Sequence, residues 1–239
     1  MLAVIRIILL GLFVIVASLA GIVFCLIRPF HRNNVYWLGK LYSKASYIIG
    51  VKLVFRTDEA AAQTQPAVFI ANHQNSYDIF TLCGGVLPST VTIGKKSLKW
   101  IPFFGQLYWL AGNILIDREN RRKAMAALKR SCEHINKNKI SIWMFPEGTR
   151  SYGKGLLPFK RGAFQLAQQA NVPLIPVCMS TTHNKINLNR WDNGTIIIEV
   201  MAPKPLESND LKMEAEGFHE LMLNKINQLD AEVAQLEAK

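Results

Sequence analysis

The chain has 239 residues, half of them hydrophobic and 19% charged, with a formal net charge of +11. This length can bury one substantial core, so we expect one domain with appended segments. The composition is apolar for a soluble protein, yet too polar for one that crosses a membrane many times. Nucleic acid is not an expected partner, because the sequence has no zinc-finger spacing, recognition-helix pattern or aromatic RNA-binding signature.

Residues 1–50 form the predicted membrane-anchoring segment. Residues 7–27 contain no charge, and a run of this length can cross or enter a bilayer. A cleaved signal peptide is the alternative, but the apolar run continues past the small residues 18–20 to a basic stop at 28–32. Residues 35–49 then have the spacing of an amphipathic interfacial helix. The pattern fits either a spanning helix beside an interfacial one or a helical pair within one leaflet.

The cysteines are scattered along the chain and include no C-x-x-C pair. This spacing argues against a disulfide framework or a zinc site and suits a reducing compartment. We therefore expect no bound metal. The four positions are Cys25, Cys83, Cys132 and Cys178.

Residues 51–206 alternate short apolar runs with polar loops. We predict strands at residues 51–55, 68–71, 90–93, 114–116, 140–145, 174–178 and 195–201. We predict helices at residues 77–85, 101–111, 121–137 and 162–170. Alternation of this kind predicts an α/β fold with a largely parallel central sheet flanked by helices. Polar clusters that follow the strands would then lie together at one edge of the sheet.

Residues 207–239 are expected to form a third segment, a C-terminal amphipathic helix over residues 210–236. Its apolar residues recur at steps of three and four. A coiled-coil or partner helix is the alternative. We favour packing against the domain, because Gly217 interrupts the pattern.

The first polar cluster places His73 and Asp78 directly after the predicted strand at residues 68–71. On a regular helix, residues five apart point about 140° away from each other. The two side chains can therefore meet only if His73 lies in a loop and Asp78 near a helix start, with Ser76 as the predicted N-cap. Asp78 would then hold the imidazole tautomer while His73 accepts a proton. The alternative is an ordinary packed histidine and an acidic residue in a first helical turn.

Two further clusters put an arginine after a predicted strand, at Arg118 and Arg150. Arginine binds phosphate through two parallel hydrogen bonds. Gly148 would let backbone N–H groups approach an anion, and Thr149 adds a hydroxyl donor. Residues 95–161 also carry fifteen Lys or Arg against four Asp or Glu. A site for a phosphorylated substrate beside an anionic membrane explains that placement.

These clusters resemble the conserved motifs of the glycerolipid acyltransferase superfamily. The N-H-x-x-x-x-D motif is matched by residues 72–78, and the glycine-to-arginine motif by residues 112–118. The F-P-E-G-T-R-S motif is matched by residues 145–151, and V-P-x-x-P-V by residues 172–177. The K-x-x-L-x-x-x-P-x-x-G pattern is matched by residues 95–105. Within the superfamily, the whole chain is most similar to bacterial members that act on lysophosphatidate.

The resemblance implies transfer of a fatty acyl group from acyl-CoA or acyl-carrier protein to the 2-hydroxyl of 1-acyl-sn-glycerol 3-phosphate, which yields phosphatidate. It implies no cofactor beyond the thioester co-substrate. It also implies a place on the anionic surface of a bacterial inner membrane, with the catalytic domain facing the cytoplasm. Alternatives are a glycerol-3-phosphate or other lysophospholipid acyltransferase, an acyl hydrolase acting through Ser76 or Cys83, and a non-catalytic membrane adaptor.

The resemblance also assigns roles to individual residues. His73 is expected to be the general base, with Asp78 as its partner. The residues expected to bind the acceptor phosphate are Lys95, Arg118, Gly148 and Arg150. Those expected to position the substrate are Glu147 and Thr149. Those expected to shape the acyl pocket and the sheet packing are Val172, Pro173 and Pro176.

Overall fold

The computed structural model describes residues 1–117 and 121–238. The strands are β1 Lys52–Thr57, β2 Val68–Ala71, β3 Thr90–Lys95, β4 Ile114–Ile116, β5 Ser141–Met144, β6 Leu174–Met179 and β7 Thr195–Val200. The helices are α1 Leu2–Ile27, α2 Asn34–Ser43, α3 Glu59–Gln63, α4 Asp78–Thr81, α5 Phe104–Leu110, α6 Arg121–Asn138, α7 Gly162–Ala170 and α8 Leu211–Glu237. Short 3₁₀ turns span Lys44–Ser46, Cys83–Gly85 and Lys96–Trp100.

The strands form one seven-stranded sheet in the order β1-β7-β6-β2-β5-β3-β4. The five strands from β6 to β4 are parallel to one another. Strand β7 is antiparallel to β6, and β1 is parallel to β7. The predicted α/β fold with a largely parallel sheet is confirmed. The carboxyl ends of β2 to β6 consequently lie along one side of the sheet, which we call the carboxyl edge.

The centre of the sheet is fully buried, as expected for parallel strands covered by helices on both faces. Every residue of β2 and of β6 is buried. All seven predicted strands are present, with ends that differ from the prediction by at most two residues. The predicted helix at residues 77–85 is divided into α4 and the turn Cys83–Gly85, and α3 was not predicted.

Helix α1 packs against the domain along a narrow stripe and leaves most of its apolar surface exposed. It is the one helix in the described residues that is long and apolar enough to cross a membrane, and 22% of its most apolar stretch is buried. Near its start, Arg6 is buried and donates hydrogen bonds to the carbonyl oxygens of Arg190 (2.5 Å) and Trp191 (2.7 Å). Near its end, Gly21 packs against Leu107 of α5 and Leu38 of α2.

Helix α2 is attached to the turn that follows α4. A side-chain carbon at Gly39 would lie 2.4 Å from the carbonyl oxygen of Cys83, so only glycine permits this approach. The Lys40 ammonium also donates to the carbonyl oxygen of Gly84 at 2.5 Å. Helix α2 therefore lies directly against the segment that carries Asp78.

Helix α8 packs on β6, β7 and α7 and buries one apolar face, made by Ala215, Phe218, Met222, Ile226, Leu229 and Val233. The helix continues through Gly217 without a break, over nearly the range predicted for it. Ion pairs add to the packing: Arg56 of β1 pairs with Glu232, and Lys225 with Glu199 of β7 at 2.9 Å. The helix thus belongs to the domain's core layer, in keeping with the packing that we favoured over a coiled coil.

Candidate active site

His73 and Asp78 meet at the carboxyl end of β2, in the middle of the sheet. His73 Nδ1 and Asp78 Oδ2 are 2.6 Å apart. Asp78 is 5% exposed, and the His73 side chain is 17% exposed. A carboxylate can only accept a hydrogen bond, so the proton of this pair sits on Nδ1. Nε2 is then the ring nitrogen that can accept a proton from a substrate.

The loop of residues 72–77, which we call the histidine loop, curls around the Asp78 carboxylate. The backbone N–H of Gln74 donates to Asp78 Oδ2 at 2.7 Å, and that of Asn75 donates to both carboxylate oxygens at 3.2 Å. These bonds turn the chain so that His73 reaches back to Asp78. Such a loop is the geometry that the five-residue spacing requires.

The start of α4 differs from the prediction. The helix begins at Asp78, with Tyr77 rather than Ser76 at the capping position. Asn75 makes the local turn, because its side-chain oxygen accepts the N–H of Tyr77 at 2.8 Å. Ser76 instead accepts a hydrogen bond from Arg150 at 3.2 Å. The predicted Ser76 cap is therefore wrong, whereas His73 in a loop and Asp78 at the helix start are both observed.

Residues 145–152, which we call the glycine loop, follow β5 and run beside the histidine loop. Phe145 stacks on the His73 ring, with centroids 4.0 Å apart and planes inclined by 16°. The N–H of Ser151 donates to the carbonyl oxygen of His73 at 2.9 Å, and that of Tyr152 to Gln74 at 2.9 Å. These contacts extend the β2–β5 pairing beyond the strands and hold His73 on both its ring and its backbone.

Glu147 is buried beneath the two loops rather than directed toward a substrate. Its Oε1 accepts the backbone N–H of His73 at 2.6 Å, and its Oε2 accepts that of Leu157 at 3.0 Å. The residue is 2% exposed. Burial raises the pKa of its carboxyl group to about 7, although the two N–H donors act in the opposite direction. We expected Glu147 to position the substrate; the observed contacts position the protein backbone.

The rest of the glycine loop presents a tight turn and the cation of Arg150 to solvent, and Lys160 lies beside it. Gly148 has a φ of 71°, in the left-handed region that glycine tolerates. A side-chain carbon there would lie 2.8 Å from Nζ of Lys160, so this lysine covers Gly148. Arg150 is exposed and donates to Ser76 and to the Tyr152 hydroxyl, each at 3.2 Å. Thr149, between Gly148 and Arg150, is also exposed.

Lys95 is the last residue of β3 and lies on the same side of β2 as the glycine loop. Since β3 is two strands from β2, its end lies about 10 Å from that of β2. Arg118 lies outside the described residues. The residue before it, Asp117, directly follows β4, the next strand outward. Lys95, Arg150 and Lys160 thus all lie on one side of His73.

The fourth motif lies away from this edge. Val172 and Pro173 precede β6 at the amino end of the strand, and the carbonyl oxygen of Pro173 accepts the N–H of Val68 at 3.0 Å. Pro176 is buried in mid-strand, opposite Ile70. Met179 lies six positions beyond Pro173 along the strand, a distance of about 20 Å. This placement supports the packing role of Val172 and Pro173 and argues against a place for them in an acyl pocket near His73.

Polar contacts that we did not predict join the histidine loop to the end of β6. The Asn72 side chain exchanges two hydrogen bonds with the Met179 backbone, both at 2.9 Å. Gln74 Oε1 accepts the N–H of Thr182 at 2.7 Å and its hydroxyl at 2.9 Å. The consecutive polar residues 72–76 and the threonines that follow β6 were the only sequence signal for this network.

The site has the components of a general-base catalyst for acyl transfer: an oriented imidazole, a buried carboxylate partner and neighbouring cations. Among residues 1–117 and 121–238, no group of three or more His, Cys, Asp or Glu is arranged to hold a metal ion.

Comparison with known proteins agrees with these observations. A family profile described as Acyltransferase matches residues 52–180. The chain is 47% identical to the 1-acyl-sn-glycerol-3-phosphate acyltransferase of Escherichia coli, over 100% of this chain and 98% of the relative. It is 46% identical to the protein of the same name from Haemophilus influenzae, over 98% and 99%.

The fold is also similar to the crystal structure of the 1-acyl-sn-glycerophosphate acyltransferase PlsC from Thermotoga maritima. The TM-score is 0.68 at 24% identity, and the match covers 99% of this chain and 98% of that one. The resemblance inferred from the motifs is confirmed, and the chain belongs to the acyltransferase family.

Proposed function

We propose that this protein transfers a fatty acyl group from a thioester to the 2-hydroxyl of 1-acyl-sn-glycerol 3-phosphate and so makes phosphatidate for phospholipid synthesis. The observation that carries the proposal is the His73–Asp78 pair at 2.6 Å on the carboxyl edge, beside exposed cations. The end-to-end identity with two bacterial enzymes named for this reaction supports the choice of acceptor.

In the proposed reaction, His73 Nε2 accepts the proton of the 2-hydroxyl while that oxygen attacks the thioester carbonyl carbon. The tetrahedral intermediate then expels the thiolate, which takes the proton from the imidazolium as the new ester forms. Asp78 stabilises the imidazolium between these two steps. General-base assistance of this kind is worth about 10²–10⁴-fold in rate. The acyl donor is acyl-CoA or acyl-carrier protein, and no further cofactor enters the scheme.

The acceptor phosphate is proposed to bind on the glycine-loop side of His73. Arg150 lies three residues beyond Glu147 and contacts Ser76 of the histidine loop, so its guanidinium lies close to the base. Lys160 covers Gly148 and adds a second cation that the motifs did not predict. Lys95 lies two strands away, at the same edge. Together these cations would anchor a phosphate while the 2-hydroxyl points to Nε2.

For the membrane segment, the contacts of α1 favour the arrangement within one leaflet. A 26-residue helix is about 39 Å long. Arg6 near one end and Gly21 near the other both contact the same domain. A helix that crossed the bilayer would have to place one of these two contacts inside the membrane or on its far side. We therefore propose that α1 and α2 lie on an anionic leaflet, at the cytoplasmic face of a bacterial inner membrane.

An acyl hydrolase with an enzyme nucleophile is less well supported. Cys83 is committed to the carbonyl oxygen of Ile79 at 2.7 Å, and burial raises the pKa of its thiol to about 12. A thiol in that state is a poor nucleophile. Ser76 Oγ faces the Arg150 guanidinium, which cannot accept its proton. Direct transfer by His73 needs neither residue.

The decisive assay uses purified protein with 1-acyl-sn-glycerol 3-phosphate and with glycerol 3-phosphate, each with acyl-CoA and with acyl-carrier protein. We expect phosphatidate from the first acceptor and little product from the second. Preference for glycerol 3-phosphate would overturn the proposed acceptor. A covalent acyl-protein formed from thioester alone would overturn direct transfer.

A further inference from the structure

Helix α8 contacts the segment that follows β6 through Glu237, which pairs with Lys185 at 2.6 Å, and, nearer to the end of β6, through Asp230. Its Oδ1 accepts the backbone N–H of Thr181, and its Oδ2 accepts the Thr181 hydroxyl, both at 2.6 Å. Thr181 lies two residues beyond the end of β6, the strand next to β2. The carboxylate thus helps to fix the segment that follows β6 at the edge of the site.

The next residue, Thr182, connects this segment to the histidine loop. Thr182 is 2% exposed and gives both its N–H and its hydroxyl proton to Gln74 Oε1, at 2.7 and 2.9 Å. Its hydroxyl oxygen also accepts the side-chain N–H of Asn75 at 2.7 Å. Thr182 therefore holds both loop residues by their side chains.

Gln74 and Asn75 in turn hold the catalytic carboxylate. Their backbone N–H groups donate to Asp78, which lies 2.6 Å from His73 Nδ1. A path of contacts therefore runs from α8 to the His73–Asp78 pair, through hydrogen bonds and the peptide bond that joins Thr181 to Thr182. Gln74 also donates to the carbonyl oxygens of Met179 and Ser180, so the segment after β6 holds it at several points, and a shift of that segment can be passed to the histidine loop.

We infer that Asp230 is a positioning residue for acyl transfer, through which the C-terminal helix sets the geometry of the histidine loop. The inference rests on the proposed role of His73 as the base. Catalytic groups must be held to within about 0.5 Å, and they depend on supporting hydrogen bonds for that precision. Asp230 supplies this support from a position 157 residues beyond His73 in the sequence.

If Asp230 only docked α8 on the domain, losing another docking contact of the same helix should lower kcat equally. Glu232 lies two residues along the same helix and pairs with Arg56 of β1, far from the histidine loop in the sheet order. Both carboxylates hold α8 on the domain through two oxygens, Glu232 at strand β1 and Asp230 at the segment after β6. Glu232→Ala is therefore a matched control for loss of helix docking without loss of the link to Thr181.

The test measures kcat and both KM values of full-length protein, with 1-acyl-sn-glycerol 3-phosphate and acyl-CoA, well below the melting temperature. We expect Asp230→Ala to lower kcat about 10-fold or more with KM values within about 3-fold, and Glu232→Ala to keep kcat within about 2-fold. Asp230→Asn should restore most of kcat, because the amide can accept the Thr181 N–H and donate to its hydroxyl oxygen. Thr182→Val should lower kcat, and adding Asp230→Ala to it should cause little further loss.

Full kcat in Asp230→Ala, an equal loss in Glu232→Ala, or multiplying losses in the double variant would each overturn the inference. If Asp230→Ala does not fold, Thr181→Ala removes one of the two hydrogen bonds to Asp230 at an exposed position and should lower kcat about 3-fold; unchanged kcat there would also overturn the inference. Wild-type protein that transfers no acyl group, or His73→Ala that remains active, would instead overturn the proposed function. The two failures are therefore distinguishable.

Discussion

Glu147 holds His73 by its main chain: the buried carboxylate accepts the His73 N–H at 2.6 Å. Its second oxygen binds the N–H of Leu157, in the segment that leads to Lys160. One side chain therefore joins the base to the loop that we propose for phosphate binding. Glu147, the glutamate of the third motif, binds backbone N–H groups of the protein, so its negative charge need not face an anionic substrate.

Glu147→Gln is expected to lower kcat about 10- to 100-fold with small changes in KM. The glutamine oxygen can accept only one of the two N–H groups, and the amide NH₂ then faces the other donor. An unsatisfied buried donor costs about 1–3 kcal/mol, and the His73 backbone would shift to relieve it. Steady-state kinetics of the purified variant measure the effect, with Glu59→Gln on exposed α3 as the control. Equal kcat in wild type and Glu147→Gln would contradict this backbone role.

The raised pKa of Glu147 predicts a pH dependence of stability. In the unfolded chain the carboxyl group loses its proton near its ordinary value of 4.5, but in the folded protein only near pH 7. Between these values the folded state holds a proton that the unfolded state has released, so the free energy of unfolding falls as pH rises. The change is on the order of 3 kcal/mol.

Chemical denaturation of wild type and Glu147→Gln at pH 5 and pH 8 isolates this effect. The variant has no carboxyl group at position 147, so its stability should fall less than that of wild type between the two pH values. The difference between the proteins removes the contribution of every other titrating group. Identical slopes would mean that burial does not raise the Glu147 pKa.

Asp78→Asn should be nearly as damaging to transfer as His73→Ala. The asparagine oxygen can accept the backbone N–H groups of Gln74 and Asn75, and its NH₂ would then face His73 Nδ1. That contact favours the tautomer with the proton on Nε2, which cannot accept another from the substrate. We expect kcat to fall about 10²–10⁴-fold in each single variant. The double variant should be no worse than the worse single one, since the pair acts as a unit.

Single-turnover assays with saturating thioester and lysophosphatidate measure the chemical step directly. A control with Asn75→Ala separates loss of the loop turn from loss of the tautomer, because it leaves the Asp78 carboxylate in place. A high residual rate in Asp78→Asn would mean that His73 does not need a carboxylate to act as the base.

The sequence predicted the elements of the site better than their connections. Apolar runs with polar ends located every strand, and the five-residue spacing of His73 and Asp78 already required the loop that the structure contains. Ser76 looked like a cap because serine often caps helices. The structure uses the Asn75 side chain there, and local propensity does not distinguish the two.

Long-range partners were not predictable from local pattern. Gln74 meets Thr182, 108 residues away, only because β6 and β2 are neighbours in the sheet. The position of Lys160 over Gly148 likewise depends on how the segment after the glycine loop folds back to place the Lys160 N–H 2.8 Å from the carbonyl oxygen of Pro146. These contacts follow from strand order, which a single sequence does not specify.

Lys160→Met should raise KM for lysophosphatidate about 10- to 150-fold and leave KM for the thioester within about 2-fold. The ammonium lies over Gly148, where a charge-assisted hydrogen bond to the acceptor phosphate is worth about 1.5–3 kcal/mol. Lys154→Met is the matched control. Lys154 is exposed on the segment between Tyr152 and Lys160, and its substitution by methionine removes the same charge. Raising the salt concentration should weaken wild-type binding more than that of Lys160→Met, because the variant has lost one screened cation. An equal rise in KM for both lysine variants would assign the effect to net charge, and a rise in the thioester KM alone would place Lys160 at the donor site.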